Sequence, residues 1–220
     1  SPYYTATDNL LISNSGKLIS CLSNKEHILI PNTVSTIGNS AFYRCKYLQS
    51  INIPNSVTTI GECAFHSCSS LQNISIPDTV TSIENKAFAH CKALQSMSIP
   101  NSVTSIGKGA FASCISLQSI NIHKSVVRIG SQAFSWCKSL QDINIPSSVD
   151  SIGDSTFYNC KSLRNVSIPE SVTAIGDFAF YGCKSLKSVS IPNGAATIGD
   201  SAFFGCDALQ QIKVPRGTLE

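Results

Sequence analysis

One spacing constrains this chain more than any other feature. Prolines stand at Pro31, Pro54, Pro77, Pro100, Pro146, Pro169, Pro192 and Pro215, each 23 residues from the next except for one double gap, where His123 takes the proline position. A fixed period of this length marks stacked repeats, each a supersecondary unit that buries its apolar face against its neighbours. A single 23-residue unit has too little apolar surface to offset the entropy of ordering its own backbone, so the units must stack to be stable.

The unit is plainest in LQSINIPNSVTTIGECAFHSCSS, residues 48–70. Leu48, Ile51 and Ile53 recur as far as Leu209, Ile212 and Val214. The Ile-x-Ile period of two predicts a short strand with its isoleucines inward, ended by a proline that cannot donate to a ladder. Val57, Ile60 and Gly61 follow, the glycine permitting a sharp bend. Ala64, Phe65 and Cys68 share one face at helical spacing, which predicts a short helical or 3₁₀ turn. Asn39, Asp154, Asp177 and Asp200 sit where N-caps of that turn would be. The expected inward ladder is Phe42, Phe65, Phe88, Phe111, Phe134, Phe157, Phe180 and Phe203, with Cys45, Cys68, Cys91, Cys114, Cys137, Cys160, Cys183 and Cys206 three residues after each. About eight units at roughly 4.8 Å per strand give a rod roughly 40 Å long, with a parallel sheet on one face.

The period organises the whole chain. Residues 1–30 break it and read as an N-terminal β-hairpin cap around Ser13-Asn-Ser-Gly16, 31–214 form the solenoid, and 215–220 are the C-terminal end. The opening residues, Ser1-Pro2-Tyr3, lack signal-peptide character, and no apolar run approaches membrane-spanning length.

The pattern L-x-x-I-x-I-P-x-x-V-x-x-I-G-x-x-A-F-x-x-C-x-x resembles the BspA-like family of leucine-rich repeats over about residues 28–215. The resemblance implies a right-handed leucine-rich-repeat solenoid, with short strands, turns and helical segments opposite the sheet. It also implies a secreted or cell-surface protein, since family members are surface or secreted proteins of bacteria and parasitic protists and many are adhesins or binding modules.

Ten cysteines are the loudest compositional feature. In adjacent coils the ladder side chains point the same way rather than at each other, which favours buried free thiols over disulfides. Cys21 and Cys63 stand outside the ladder with no assigned partner. Cys63, His66 and Cys68 lie close in sequence and His90 adjoins Cys91, but no second cluster completes a four-ligand metal site. The four histidines share no repeat position, no phosphate-binding glycine loop occurs, and no nucleophile stands in a motif with a base, so neither an enzyme nor a cofactor is expected. A net charge of +3 is too weak to argue for nucleic acid.

Binding surfaces remain. Outward strand positions such as Ser50/Asn52, Asn73/Ser75, Ser96/Ser98 and Asn165/Ser167 form a strip of small hydrogen-bonding groups, and Asn73-Ile-Ser and Asn165-Val-Ser are glycosylation sequons that would obstruct it. Lys138, Lys161, Arg164, Lys184 and Lys187 form a basic row suited to an acidic glycan or protein, with solvated lysines as the alternative. Tyr43, Tyr47, Tyr158, Tyr181 and Phe204 form an outer aromatic set. The fifth coil departs most from the consensus and gathers His123, Lys124, Arg128 and the sole tryptophan, Trp136. Arg and Trp are enriched in binding hot spots, although Trp136 falls in the turn and His123 at the strand end. The expectation is a recognition module for a protein or glycan, such as a host matrix or cell-surface molecule. The alternative is a structural spacer in a larger surface protein.

Overall fold

A computed structural model describes residues 3–213. Each repeat carries two short strands. The first is centred on the leading isoleucine of the Ile-x-Ile pair, as in Ser50–Asn52, and occurs nine times among the described residues, from His27–Leu29 to Gln211–Lys213. The second is a two-residue strand ending on the isoleucine before the bend, as in Thr59–Ile60, and occurs eight times, from Thr36–Ile37 to Thr197–Ile198. Both pair in parallel with their equivalents one period on, except between Asn73–Ser75 and Ser96–Ser98, between Ser119–Asn121 and Asp142–Asn144, and between Arg128–Ile129 and Ser151–Ile152. Ser50 lies opposite Asn73, Ile51 opposite Ile74 and Asn52 opposite Ser75. That register puts like over like, so one coil's inward isoleucine rests on the next and a one-residue slip would turn the column to solvent. The product is a parallel β-solenoid of about nine turns. Coils are counted below by their phenylalanine, from Phe42 in the first to Phe203 in the eighth.

The prolines work through their carbonyls. Val57 N–H donates to Pro54 O at 3.0 Å, closing a turn, and Val126 N–H donates in the same way to His123 O at 3.1 Å. His123 thus keeps the turn its neighbours build with proline. The bend glycine answers a different demand from the one expected. Gly61 is not in the left-handed region, but a Cβ there would lie 2.7 Å from the backbone nitrogen of Asn39 in the preceding coil. Close approach between coils, rather than the sharpness of the bend, calls for glycine at that position.

The expected helical segment is instead a run of linked turns. Two residues per coil lie in the left-handed region, four apart: Ser40 and Arg44 in the first coil, Gln132 and Trp136 in the fifth, Phe178 and Gly182 in the seventh. A left-handed residue every fourth position breaks any α or 3₁₀ run, and backbone bonds to the adjacent coil replace those a helix would make. Phe65 N–H, for example, donates to Ala87 O at 2.8 Å. The proposed N-caps are therefore something else. Asn39 Oδ1 accepts from Glu62 N–H at 3.1 Å, and Asp154 Oδ1 accepts from Asp177 N–H at 3.1 Å, each bracing the following coil.

The core is columnar. The ladder phenylalanines stack ring on ring from Phe42 to Phe203, with centroids 4.9–5.7 Å apart and planes within 17°. Behind them each ladder thiol from Cys68 onward donates to the carbonyl of the preceding coil's phenylalanine; Cys68 Sγ reaches Phe42 O at 3.0 Å and Cys114 Sγ reaches Phe88 O at 3.1 Å. All ten cysteines are free thiols. Burial pushes Cys68, Cys114 and Cys160 up to about 12. Not all the ladder is buried as expected: Cys45 at one end and Phe203 and Cys206 at the other are half-buried.

At the amino end, Tyr4–Thr7, Leu10–Ser13 and Lys17–Cys21 form an antiparallel meander, one strand more than the expected hairpin. Its last strand pairs in parallel with Thr36–Ile37, and Leu10, Ile12 and Leu18 close the core. The expected end segment, 215–220, lies outside the described residues. No helix among the described residues is long and apolar enough to cross a membrane.

Candidate functional site

The turn segment sends the residue after the phenylalanine outward in several coils, though Ala89 and Ser135 at that position are buried. In coils six to eight these are Tyr158, Tyr181 and Phe204, and in coil five Trp136, one residue further on, joins the same column. Ring centroids run 5.9 Å from Trp136 to Tyr158, 4.9 Å to Tyr181 and 5.4 Å to Phe204. Tyr158 and Tyr181 are within 8° of parallel, so their faces cover each other and their edges meet solvent. Trp136 is 39% exposed and Phe204 65%. Phe178 packs edge-on against Tyr181 at 5.9 Å.

The predicted basic row runs beside this column. Lys138 Nζ sits 5.2 Å over the Trp136 ring, a cation–π contact. Lys161 and Lys184 follow at the same repeat position, both exposed, and Lys184 pairs with Asp207 at 3.3 Å. Arg164 and Lys187 stand exposed at the strand entrance, Lys187 N–H bonded to Arg164 O at 3.3 Å. In coils six to eight Asp154, Asp177 and Asp200 are exposed, with Asp177 Oδ1 accepting from Asp200 N–H at 2.8 Å. The turn face of coils five to eight thus carries an aromatic ridge with a lysine position in coils five to seven and an aspartate position in coils six to eight.

Trp136 has a φ of +63°, in the left-handed region; the equivalent residues are Arg44, Ser67, His90 and Ser113 in earlier coils and Asn159, Gly182 and Gly205 in later ones. An indole at such a position carries a backbone cost that glycine avoids.

The fifth-coil group divides. His123 is tied into its own turn, its Nδ1 accepting from Ser125 N–H at 3.2 Å. Lys124 is exposed in that turn and Arg128 opens the strand Arg128–Ile129. Among the described residues no hydrogen bond, ion pair or ring contact joins His123, Lys124 or Arg128 to Trp136. Trp136 is joined instead to Lys138 and Tyr158, from the basic row and the aromatic set. The signal for this grouping was the recurrence of Asn and Gly at the Trp136 position, which marks a left-handed residue.

The strand face offers a second, plainer surface. Strands Asn73–Ser75 and Ser96–Ser98 are not hydrogen-bonded to each other. A shallow groove of about 490 Å³ lies over the gap, lined by Ser50, Asn73, Ser75, Ser96 and Ser98 above Ile74 and Met97. Its lining is uncharged and holds no ring. Of the sequon asparagines, Asn73 borders this groove and Asn165 donates to Asp142 Oδ1 at 3.0 Å.

In the early coils Tyr43, His66 and His90 form a shorter outer column with centroids 5.1 Å apart, and Arg44 lies 5.3 Å over Tyr43. Burial lowers both histidine pKa values, and for His66 the neighbouring His90 adds to the effect. No group of three or more His, Cys, Asp or Glu able to hold a metal occurs among the described residues, and Cys68 turns into the core rather than toward His66.

Comparison with known proteins agrees with the coil geometry. The chain matches the family model described as the BspA type leucine rich repeat region, in six copies, over residues 19–141 and 127–220. It is similar to the solved leucine-rich repeat protein of T. pallidum, at 27% identity and a TM-score of 0.73, covering 96% of this chain and 89% of that one. A leucine-rich repeat protein of Bacteroides ovatus is 30% identical, with a TM-score of 0.65, over 96% of this chain and 69% of that one. The pneumococcal vaccine antigen PcpA shares the fold at 21% identity and a TM-score of 0.58, over 98% of this chain and 48% of that one. No curated protein sequence matches the chain significantly. Leucine-rich repeats of this kind are generally non-enzymatic modules for protein interaction. With the 23-residue register, the phenylalanine column and a family match over nearly the whole length, the chain belongs to the BspA-type leucine-rich repeat family.

Proposed function

We propose that this chain is a non-enzymatic recognition module of a secreted or cell-surface protein, and that it engages a protein partner through the turn face of coils five to eight. The observation that carries the reading is Trp136, kept in a left-handed backbone position that later coils give to Asn or Gly, exposed, and stacked under Lys138. Trp and Tyr are prominent in interface hot spots, and this face presents Trp136, Tyr158 and Tyr181 on a rigid stack. The charge pattern favours a protein over a polyanion, because the acids at Asp154, Asp177 and Asp200 lie on the same turn face as the lysines. Sugar stacking needs open ring faces, whereas Tyr158 and Tyr181 cover one another. The surface location rests on family membership.

The test is an array of extracellular-matrix and cell-surface proteins, with a parallel glycan array, probed with the wild type and with a Trp136→Gly/Lys161→Glu double variant. The reading expects a protein binder whose affinity falls at least tenfold in the variant, about 1.4 kcal/mol. Silence across both arrays would favour the structural spacer. Retention confined to sulfated glycans and abolished by salt would move the ligand class to a polyanion.

A further inference from the structure

The turn after the first strand is tied back to the preceding coil in the inner repeats and loses that tie at Gly194. In six successive turns the residue before the buried valine is Ser or Thr. Its hydroxyl donates to the valine carbonyl of the coil before, from Ser56 Oγ on Val34 O at 2.7 Å to Ser171 Oγ on Val149 O at 2.6 Å. In the turn at 192–195 that residue is Gly194, so no hydroxyl is there to reach Val172 O. The turn itself closes as elsewhere, with Ala195 N–H donating to Pro192 O at 3.1 Å. Nothing in the backbone demands glycine. Gly194 is not in the left-handed region, and a Cβ would lie 3.4 Å from Glu170 O and 3.8 Å from Val172 O, which is ordinary contact. Ala195 replaces the valine and is only half-buried, whereas Val57 and Val103 are fully enclosed. Before Gly194 stands Asn193, exposed, and the same turn position holds Asn55 and Asn101 in tethered coils.

We propose that Asn193 is a site of spontaneous covalent modification, where the Asn193-Gly194 peptide cyclises and hydrolyses to aspartate and isoaspartate, and that the hydroxyl tethers of the inner turns suppress the same reaction at Asn55 and Asn101. The Gly194 backbone nitrogen gives its proton to solvent base and attacks Asn193 Cγ. The new N–C bond closes a succinimide ring, and the side-chain amide nitrogen leaves as ammonia, taking a proton back. Water then adds to one of the two ring carbonyls. Opening at Cγ breaks the new bond and gives aspartate. Opening at the main-chain carbonyl breaks the original peptide bond and gives isoaspartate, with the chain running through the former side chain. One water is consumed and one ammonia released, with no oxidant or reductant.

The turn geometry sets which asparagine reacts. Attack requires the nitrogen after the asparagine to swing out of the turn and approach Cγ. Where that nitrogen belongs to Ser56 or Ser102, the hydroxyl of the same residue is fixed to the preceding coil, so the peptide cannot rotate without breaking a hydrogen bond. Gly194 has no such bond, its N–H donates to no backbone carbonyl among the described residues, and it has no Cβ to hinder the approach. Asn193 N–H donates to Glu170 Oε2 at 3.1 Å, so the product sets a second carboxylate beside an existing one. As isoaspartate it also lengthens the backbone of the turn, in the coil that carries Phe204.

The experiment incubates the intact chain, its thiols kept reduced, in mildly alkaline buffer, both native and in urea, and maps aspartate and isoaspartate at each asparagine by peptide mass spectrometry. Dividing the denatured rate by the native rate cancels the intrinsic preference for Asn-Gly over Asn-Ser and leaves the protection that the fold supplies. Protection at Asn193 is expected to be at least about tenfold weaker than at Asn55 and Asn101. Gly194→Ser, which restores a hydroxyl beside Val172 O, should raise protection at Asn193 to their level. Gly194→Ala, a Cβ without a hydroxyl, should leave it low. Equal protection at the three asparagines, no gain in Gly194→Ser, or an equal gain in Gly194→Ala would overturn the proposal.

Discussion

A tryptophan at φ +63° is a residue held against its own preference. Left-handed backbone costs a non-glycine residue roughly 1–2 kcal/mol. Against this, Trp136 gains an aromatic contact with Tyr158, worth about 0.5–1.5 kcal/mol, and an exposed cation–π contact with Lys138, worth about 0.5–1 kcal/mol. The two sides nearly cancel. Trp136→Gly is therefore expected to leave unfolding free energy within about 1 kcal/mol of the parent, because glycine recovers the backbone cost as the ring contacts are lost. Urea titration checks this. A loss well above about 2 kcal/mol would mean that the indole serves the fold, leaving no surplus to attribute to a partner.

At the scale of the element, the bend glycines mark where coils touch. Gly61→Ala would put a methyl group 2.7 Å from Asn39 N and 2.5 Å from Asn39 Oδ1, forcing the two coils apart. Overpacking of this kind costs roughly 1–3 kcal/mol, and a lower urea midpoint with an unchanged slope would register it. The strands were legible in the sequence because Ile51 and Ile53 alternate, and alternation needs only an inside and an outside. The turn segment was not. Ala64, Phe65 and Cys68 satisfy a helix and a chain of linked turns equally well, and the sign of φ that separates them leaves a trace at Gly109, Asn159, Gly182 and Gly205. That error also hid part of the site. On a helix, residues two apart do not face each other, so Trp136 and Lys138 would not be paired from sequence. The left-handed turn at Trp136 brings them together. The basic row itself was visible, since a 23-residue period puts Lys138, Lys161 and Lys184 in one column whatever the local backbone. Cys21 was unreadable because it lies outside the period, and only the backbone bond to Ala41 reveals that it stands at a phenylalanine position.

The whole molecule is a set of columns, each coil touching only its neighbours, so its two faces are independent of each other and of the cap. The strand face carries an uncharged groove over Ile74 and Met97, and the turn face carries the ridge from Trp136 to Phe204. A partner can use one without disturbing the other, which makes the choice of face measurable. Hydroxyl-radical footprinting, with and without the protein binder found on the array, is the direct measurement. Protection of Trp136, Tyr158, Tyr181 and Phe204, with the strands between Ser50 and Ser98 labelled as in the free chain, is the predicted result. Unchanged oxidation of those four rings alongside protection at Asn73–Ser98 would contradict the account and place recognition on the strand face.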